Sequence, residues 1–373
     1  MSLRLFAGIR AGDPRNVLVP HPSPRQRCAG SVGIVGAARR GERAVALVLA
    51  LFIVVLASVL VVTMTYSTHL GSRLGAMAER SFEAEYLLKS AVNLARVLIK
   101  EDKTSEDSLQ DLWGEFSGGV VVPPDILGVT TPNLTVSLEI RPEESKIPLR
   151  ALVPTSDTAD PKWRDLLLRL FRRLGFDEDD EEDHTGLFPG RVFTAAELVA
   201  ALIDYMDADS ESYSPEDDFA SGCEGDLPPN TFANQRIARV GELSTIPGFT
   251  PMRLRKLSPF ITVFSVSNKI NVNLAPRLIL EVLHPDIGTD QIDRIIEYRQ
   301  GKEGPFTEQS FGSVLSEMIG SPWNAVSSML TMRGNWFQVL AKVDYGNSTY
   351  FMRAYLSKSS PGELPEIRSV ELF

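Results

Sequence analysis

With 373 residues and 43% hydrophobic content, the chain can form one large or two modest domains and supply them with a core. A formal charge of −10 argues against a generic nucleic-acid binder, because affinity for phosphate comes mainly from neutralising it with Lys and Arg. The scattered His21, His69, His184 and His284 give no support to zinc chemistry.

Residues 1–43 read as a leader or cytoplasmic segment. The stretch PHPSPRQRCAGSVGIVGAA has no periodicity, and a translation start nearer Val32 or Val35 would remove most of it. Ala44 to Met64, AVALVLALFIVVLASVLVVTM, carries no charge and is long enough, at roughly 30 Å, to span a bilayer. Arg39, Arg40 and Arg43 crowd its N-terminal edge, whereas the first cation beyond it is Arg73, so the N-terminus is expected in the cytoplasm and the rest outside it. Of the two cysteines, Cys28 precedes this segment and Cys223 follows it. If the leader is removed, no disulfide can form within one mature chain.

Residues 65–102 should continue the same helix. Leu87, Ala91, Leu94 and Leu98 recur at helical spacing, which predicts a helix of roughly 85 Å from Ala44 to about Lys100, with Gly71 and Gly75 as flexible points. Residues 103–160 hold a loop and then a strand marked by alternating Leu134, Val136, Leu138 and Ile140. Residues 161–330 are read as largely helical, and within 331–373 the stretch Trp336 to Lys358 reads as a β-hairpin turning at Gly346-Asn347. Strands on both sides of a long helical block imply a helical domain inserted into an α/β scaffold.

Within that block, LIDYMDADSESYSPEDDF runs from an apolar helix face into Asp207, Asp209 and Glu211 at i, i+2 and i+4, with Asp217 and Asp218 within one loop's reach. Such a loop can surround calcium with oxygens, although the glycine and terminal glutamate of an EF-hand are missing. A solvated acidic loop is the other reading. The denser run Asp177 to Asp183, DEDDEED, reads as a solvated, mobile loop, because contiguous like charges repel. The segments ELSTIPGFTPMRLRKL and HPDIGTDQIDRIIEYRQGKEGPFTEQSF look like helix-hairpin-helix modules, which grip DNA phosphate, and the second resembles the competence DNA receptor. A membrane-anchored DNA-binding protein is therefore an alternative. Against it, acidic residues outnumber Arg294, Arg299 and Lys302 in the second hairpin, and only Arg253, Arg255 and Lys256 support the first. No nucleophile with a nearby base, phosphate loop or histidine pair marks an enzyme.

A membrane helix passing into an amphipathic one behind a short basic stretch resembles type IV pilins and pseudopilins. Four further segments, EESKIPLRAL, LVAALIDYMDADSESYSPEDDFA, RIARVGELSTIPGF and INVNLAPRLILEVL, are similar to the minor pseudopilin K family of type II secretion. The first departs from the family pattern, with Ser145 for its Gly and with Pro148 and Arg150 for its asparagines. A minor pilin of a type IV pilus is a further alternative.

The resemblance implies an α/β (α+β) pilin-like fold, in which a long N-terminal helix packs on a small antiparallel sheet and a large, mostly helical domain is inserted. It implies cleavage by a prepilin peptidase, either after Gly41, leaving Glu42 first, or after Ala44, leaving Val45 first. The fifth mature residue is then Ala46 or Leu49 instead of the glutamate that pairs with a neighbour's amine, which points to the tip of a filament. It also implies an inner-membrane protein with a periplasmic domain whose partners are other minor pseudopilins, the major pseudopilin, the secretion platform and the bilayer, not nucleic acid. Leu87, Leu94 and Leu98 are candidate partner contacts. Calcium is carried over to Asp207, Asp209, Asp217 and Asp218, with Glu211 a weaker candidate, and no organic cofactor is implied.

Overall fold

The computed structural model describes residues 38–373 except 129–133, 156–157 and 346–347, with side chains described from Ala44 onward apart from Pro124. Cys28, the candidate starts Val32 and Val35, the side chains of Gly41 and Glu42, and the hairpin turn at Gly346-Asn347 lie outside the described residues. In chain order the elements are α1 (Ala38–Glu101), β1 (Val120–Val122), β2 (Leu134–Pro142), β3 (Ile147–Pro148), α2 (Pro161–Arg173), α3 (Ala195–Met206) and α4 (Pro251–Leu257). There follow β4 (Ile261–Thr262), β5 (Ile270–Asn271), α5 (Arg277–Val282), α6 (Thr289–Gln300), α7 (Glu308–Ile319) and α8 (Trp323–Val326). The chain closes with β6 (Leu330–Thr331), β7 (Trp336–Tyr345), β8 (Ser348–Ser357) and β9 (Glu366–Leu372).

Two units divide the chain, one ending at Ala76 and one starting at Met77. In the first, the large apolar side chains from Val45 to Met64 are all exposed, as suits a helix solvated by lipid. The two hydroxyls between Ala44 and Met64 return to their own helix: Ser58 donates to the Val54 carbonyl at 2.7 Å and Thr63 to the Leu60 carbonyl at 2.9 Å, so neither is left for the hydrocarbon to solvate. Among the described residues this is the one helix long and apolar enough to cross a membrane. Gly71 and Gly75, expected as flexible points, lie inside uninterrupted helix. Each costs about 1 kcal/mol against alanine, too little to break a helix sustained by the residues on both sides.

In the second unit, α1 buries Ala84, Leu87, Leu88, Ala91, Val92, Ala95 and Ile99 on one face, a stripe at the i, i+3, i+4, i+7 spacing of an amphipathic helix. That face meets an antiparallel sheet in the order β1-β2-β7-β8-β9. Strand β2 alternates strictly, sending Leu134, Val136, Leu138 and Ile140 to the core, and β7 answers with Phe337, Val339, Ala341 and Val343. The register of β2 on β7 runs from Leu134 opposite Tyr345 to Pro142 opposite Phe337. The expected hairpin is β7 on β8, from Trp336 opposite Ser357 to Tyr345 opposite Ser348.

Between Pro142 and Trp336 the chain leaves the sheet and builds a second core. This core begins earlier than the expected boundary at residue 161, because Ile147, Leu149, Leu152 and Val153 already belong to it. The reason is the pairing of β3 with β4, Ile147 beside Ile261, which draws the segment after β2 into the insertion. The neck of the insertion is stitched by buried carboxylates. Glu144 accepts the N–H groups of Asn335 at 2.9 Å and Trp336 at 3.1 Å, joining the outgoing chain to the returning one. The buried Lys358 ammonium sits 2.9 Å from Asp102 and 3.0 Å from Asp107, tying the end of α1 to the end of β8.

Candidate functional site

The acidic loop after α3 starts from a helix with a firm beginning and an abrupt end. Thr194 and Glu197 form a reciprocal capping box at its N-terminus, and Asp207, in extended backbone, ends it while its N–H still reaches the Ile203 carbonyl. Asp204, one turn earlier and fully buried, accepts three backbone N–H groups from the loop: Tyr213 at 2.6 Å, Cys223 at 2.5 Å and Glu224 at 2.8 Å. The loop thereby folds back, and Ser212 holds its return limb by accepting from the Gly225 N–H at 2.8 Å.

The product of this folding is a cluster of three carboxylates, Asp207, Asp209 and Glu224, each with an oxygen within 4.8 Å of the others. Asp207 and Glu224 are buried and Asp209 is exposed. Asn234 bridges the cluster from outside, donating to the Asp209 carbonyl and, at 3.0 Å, to Glu224 Oε1. Glu224 Oε2 and Asn234 Oδ1 are buried without a hydrogen-bond donor. Burial, together with the Asp204 and Asp209 carboxylates, pushes the Glu224 carboxyl up from its ordinary value. Converging oxygens, excess negative charge and unmet acceptors fit a hard cation of the calcium type and offer nothing to a soft one. The cluster opens on a cleft of about 670 Å³ lined by Arg164, Asp209, Glu211 and Asp217 among others.

Of the expected ligands, then, Asp207 and Asp209 come together and the others do not. Asp217 is held by Arg164, at 2.6 and 3.1 Å, in a pair braced by the Tyr213 hydroxyl and by Phe219, whose ring centre lies 4.3 Å below the guanidinium. Asp218 is exposed and outside the cluster. Glu211 gives its N–H to Asp209 at 2.8 Å, and its side chain faces the open cleft. Their place is taken by Glu224, which the local spacing could not reveal. The one sequence signal for the loop's organisation is Asp204, a carboxylate set among Leu202, Ile203, Tyr205 and Met206, where burial demands hydrogen-bond donors.

The run from Asp177 to Asp183 is anchored rather than a solvated, mobile loop. Asp177 accepts the Ala195 N–H at 2.7 Å, Asp179 pairs with the fully buried Arg253, and Asp183 accepts from the N–H groups of Gly248 at 3.0 Å and Phe188 at 3.1 Å. These carboxylates are neutralised by donors from distant parts of the chain, which a sequence window cannot display. The same contacts withdraw Arg253 from the surface, where it also serves the Gly248, Phe176 and Phe193 carbonyls. Arg299 is likewise engaged by the Val272 and Ala275 carbonyls. Both hairpins therefore lose a cation that a DNA-binding reading would need.

A second carboxylate cluster, Asp102, Asp107 and Asp111, already holds the Lys358 ammonium. Leu87, expected as a partner contact, is fully buried in its own domain, and Leu94 and Leu98 are partly buried against the same core. The exposed large apolar residues of this part of α1 are Met77, Phe82, Tyr86 and Val97. The candidate processing residues Gly41, Glu42, Ala44 and Val45 all lie within α1.

Comparison with known proteins gives a consistent result. The sequence model of the family described as type II secretion system (T2SS), protein K, matches residues 145–266, from the neck of the insertion through the acidic loop. A putative type II secretion system protein K of Escherichia coli K12 is 25% identical over 281 residues, covering 72% of this chain and 78% of that protein. Type II secretion system protein K of Dickeya chrysanthemi is 27% identical over 177 residues, covering 46% and 48%. In fold, the chain superposes with a TM-score of 0.58 and 16% identity on a chain of the GspK-GspI-GspJ complex of enterotoxigenic E. coli, over 80% of this chain and 98% of that one.

Proposed function

We propose that the chain, which is similar to the type II secretion system protein K family and has a pilin-like α+β fold, is the minor pseudopilin at the tip of a periplasmic pseudopilus. There it starts assembly with other minor pseudopilins for export of proteins across the outer membrane. The observation that carries this reading is the insertion between β2 and β7, which has its own core and emerges at one end of a sheet-and-helix body. A domain of that bulk would collide with copies of itself at the close rise of a fibre, but has room at an end. Ala46 or Leu49 at the fifth mature position supports the same place, since a terminal subunit meets no further amine.

In this reading α1 anchors the protein in the inner membrane with its N-terminus cytoplasmic and its folded domain periplasmic, following the cations Arg39, Arg40 and Arg43. Prepilin peptidase removes the leader after Gly41 or Ala44, and the mature chain meets the major pseudopilin and the secretion platform through the membrane. It acts by assembly and not by catalysis. Its acidic loop holds calcium between Asp207, Asp209 and Glu224, and the bound charge would offset their mutual repulsion.

Co-purification of the full chain from membranes tests the role. Recovery with minor pseudopilins, at far fewer copies than the major subunit, is the expected result. Finding it repeated along filaments at the major subunit's abundance would refute the tip position.

A further inference from the structure

The loop that carries the cation ligands is built on a residue outside the ligand cluster. Asp204 lies in the last turn of α3 with no exposed surface, and its two carboxylate oxygens are spent on the N–H groups of Tyr213, Cys223 and Glu224. Those donors come from both limbs of the loop. One of them belongs to Glu224 itself, so the main chain of that ligand is fixed by Asp204.

Gly222 makes this closure possible. A Cβ at that position would lie 2.1 Å from both Asp204 carboxylate oxygens, far inside contact distance, and the atoms it would strike are already committed to amides. Its backbone is not in the left-handed region, so the demand is for space and not for conformational freedom. The Gly222 N–H donates to the Tyr213 carbonyl at 2.8 Å, which joins the two limbs directly over the carboxylate.

We propose that Asp204 and Gly222 form a positioning pair that holds Glu224 over Asp207 and Asp209 before any ion arrives. This rests on the cation reading above. Three carboxylates brought within 4.8 Å repel one another, and a loop free to move would separate them. Three amide donors converging on Asp204 keep the limb in place against that repulsion, so calcium meets a formed site and does not have to assemble it.

Calcium titration of the detergent-solubilised full chain, by calorimetry, tests the pair with two variants that act differently. Asp204→Asn keeps the shape but turns an amide N–H₂ towards backbone N–H groups. Gly222→Ala keeps every charge but pushes a methyl into the carboxylate. Both should weaken calcium binding about 10- to 100-fold, as loss of a supporting contact behind a metal ligand does. Weakening by Asp204→Asn alone would assign the effect to charge and overturn the pairing. Unchanged affinity in both, with a lower melting temperature only, would make Asp204 purely structural. Wild-type protein that takes up no calcium would overturn the cation site, and this inference with it. Should either variant fail to fold, hydrogen exchange on the wild type decides: the amides of Tyr213, Cys223 and Glu224 must be protected in calcium-free protein. Exchange there as fast as in an open loop would refute positioning.

Discussion

Two stretches of this chain are almost equally acidic and put their charge to opposite use. From Asp177 to Asp183 three of the seven carboxylates meet donors from other parts of the fold: a helix N-terminus for Asp177, a buried guanidinium for Asp179, backbone amides for Asp183. From Asp207 to Glu224 the chain also gathers carboxylates, but Glu224 keeps a buried oxygen without a donor. Charge density does not distinguish a ligand site from a structural tie. What distinguishes them is whether the oxygens are already satisfied.

The sharpest way to break the comparison is Arg253→Ala. It leaves Asp179 beside an emptied core position, and loss of one partner of a buried pair costs about 3–5 kcal/mol. A denaturation curve should show that loss with or without calcium. A loss below about 1 kcal/mol would mean that the acidic run is solvated after all.

Next in size is calcium itself. At 100 times its Kd, calcium should stabilise the native protein by about 2.7 kcal/mol, and Asp207→Asn should abolish the shift. Equal melting points in calcium and in chelator would reduce the second stretch to an ordinary acidic loop.

The two stretches should also respond oppositely to pH. Burial alone would raise the Asp183 carboxyl from its ordinary 3.8, but the donors from Gly248, Thr185 and Phe188 outweigh it and leave the group lowered. Its contribution is therefore present above that value and lost as pH falls through the folded pKa. Glu224 starts from 4.5 and is raised, so without calcium its contribution is present below 4.5 and is lost as pH rises. Hydrogen exchange followed from pH 4 to pH 7 in chelator should show protection in the 207–224 loop falling, with the Tyr213, Cys223 and Glu224 amides still slower than in an open loop, while the amides of Phe188 and Gly248 keep theirs unchanged. Loosening of both stretches together would remove the contrast.

The smallest effect belongs to Asp217→Asn. Its partner Arg164 is buried but Asp217 itself is 54% exposed, so solvent screening keeps the loss of stability small, and calcium affinity should be unchanged. A clear fall in affinity would return Asp217 to the ligand set.

The parts of the fold that were legible in sequence are those governed by local period. The apolar run of α1, the alternation of β2 and the paired strands β7 and β8 each declare themselves within about ten residues. Strand β9 does not, because EIRSVEL lies at the sheet edge with most residues exposed and no strict alternation to mark a face. The site was half legible for the same reason. Asp207 and Asp209 are neighbours in sequence, whereas Glu224 reaches them through a fold set by Asp204 and Gly222, and Asp217, nearer in sequence, is captured by an arginine on α2.

The insertion leaves the sheet at Pro142 and returns at Trp336, and Pro142 stands opposite Phe337 in the ladder. Strands β2 and β7 thus pair across roughly 190 intervening residues, a separation that would make their meeting slow in an unstructured chain. Once the inserted core has formed, with Glu144 fastened to Asn335 and Trp336, the two strands start as near together as those of a tight hairpin. Folding then has a natural order, insertion first and sheet second. The same geometry makes the body beneath indifferent to the insertion's length, because only its two adjacent ends must be kept in register.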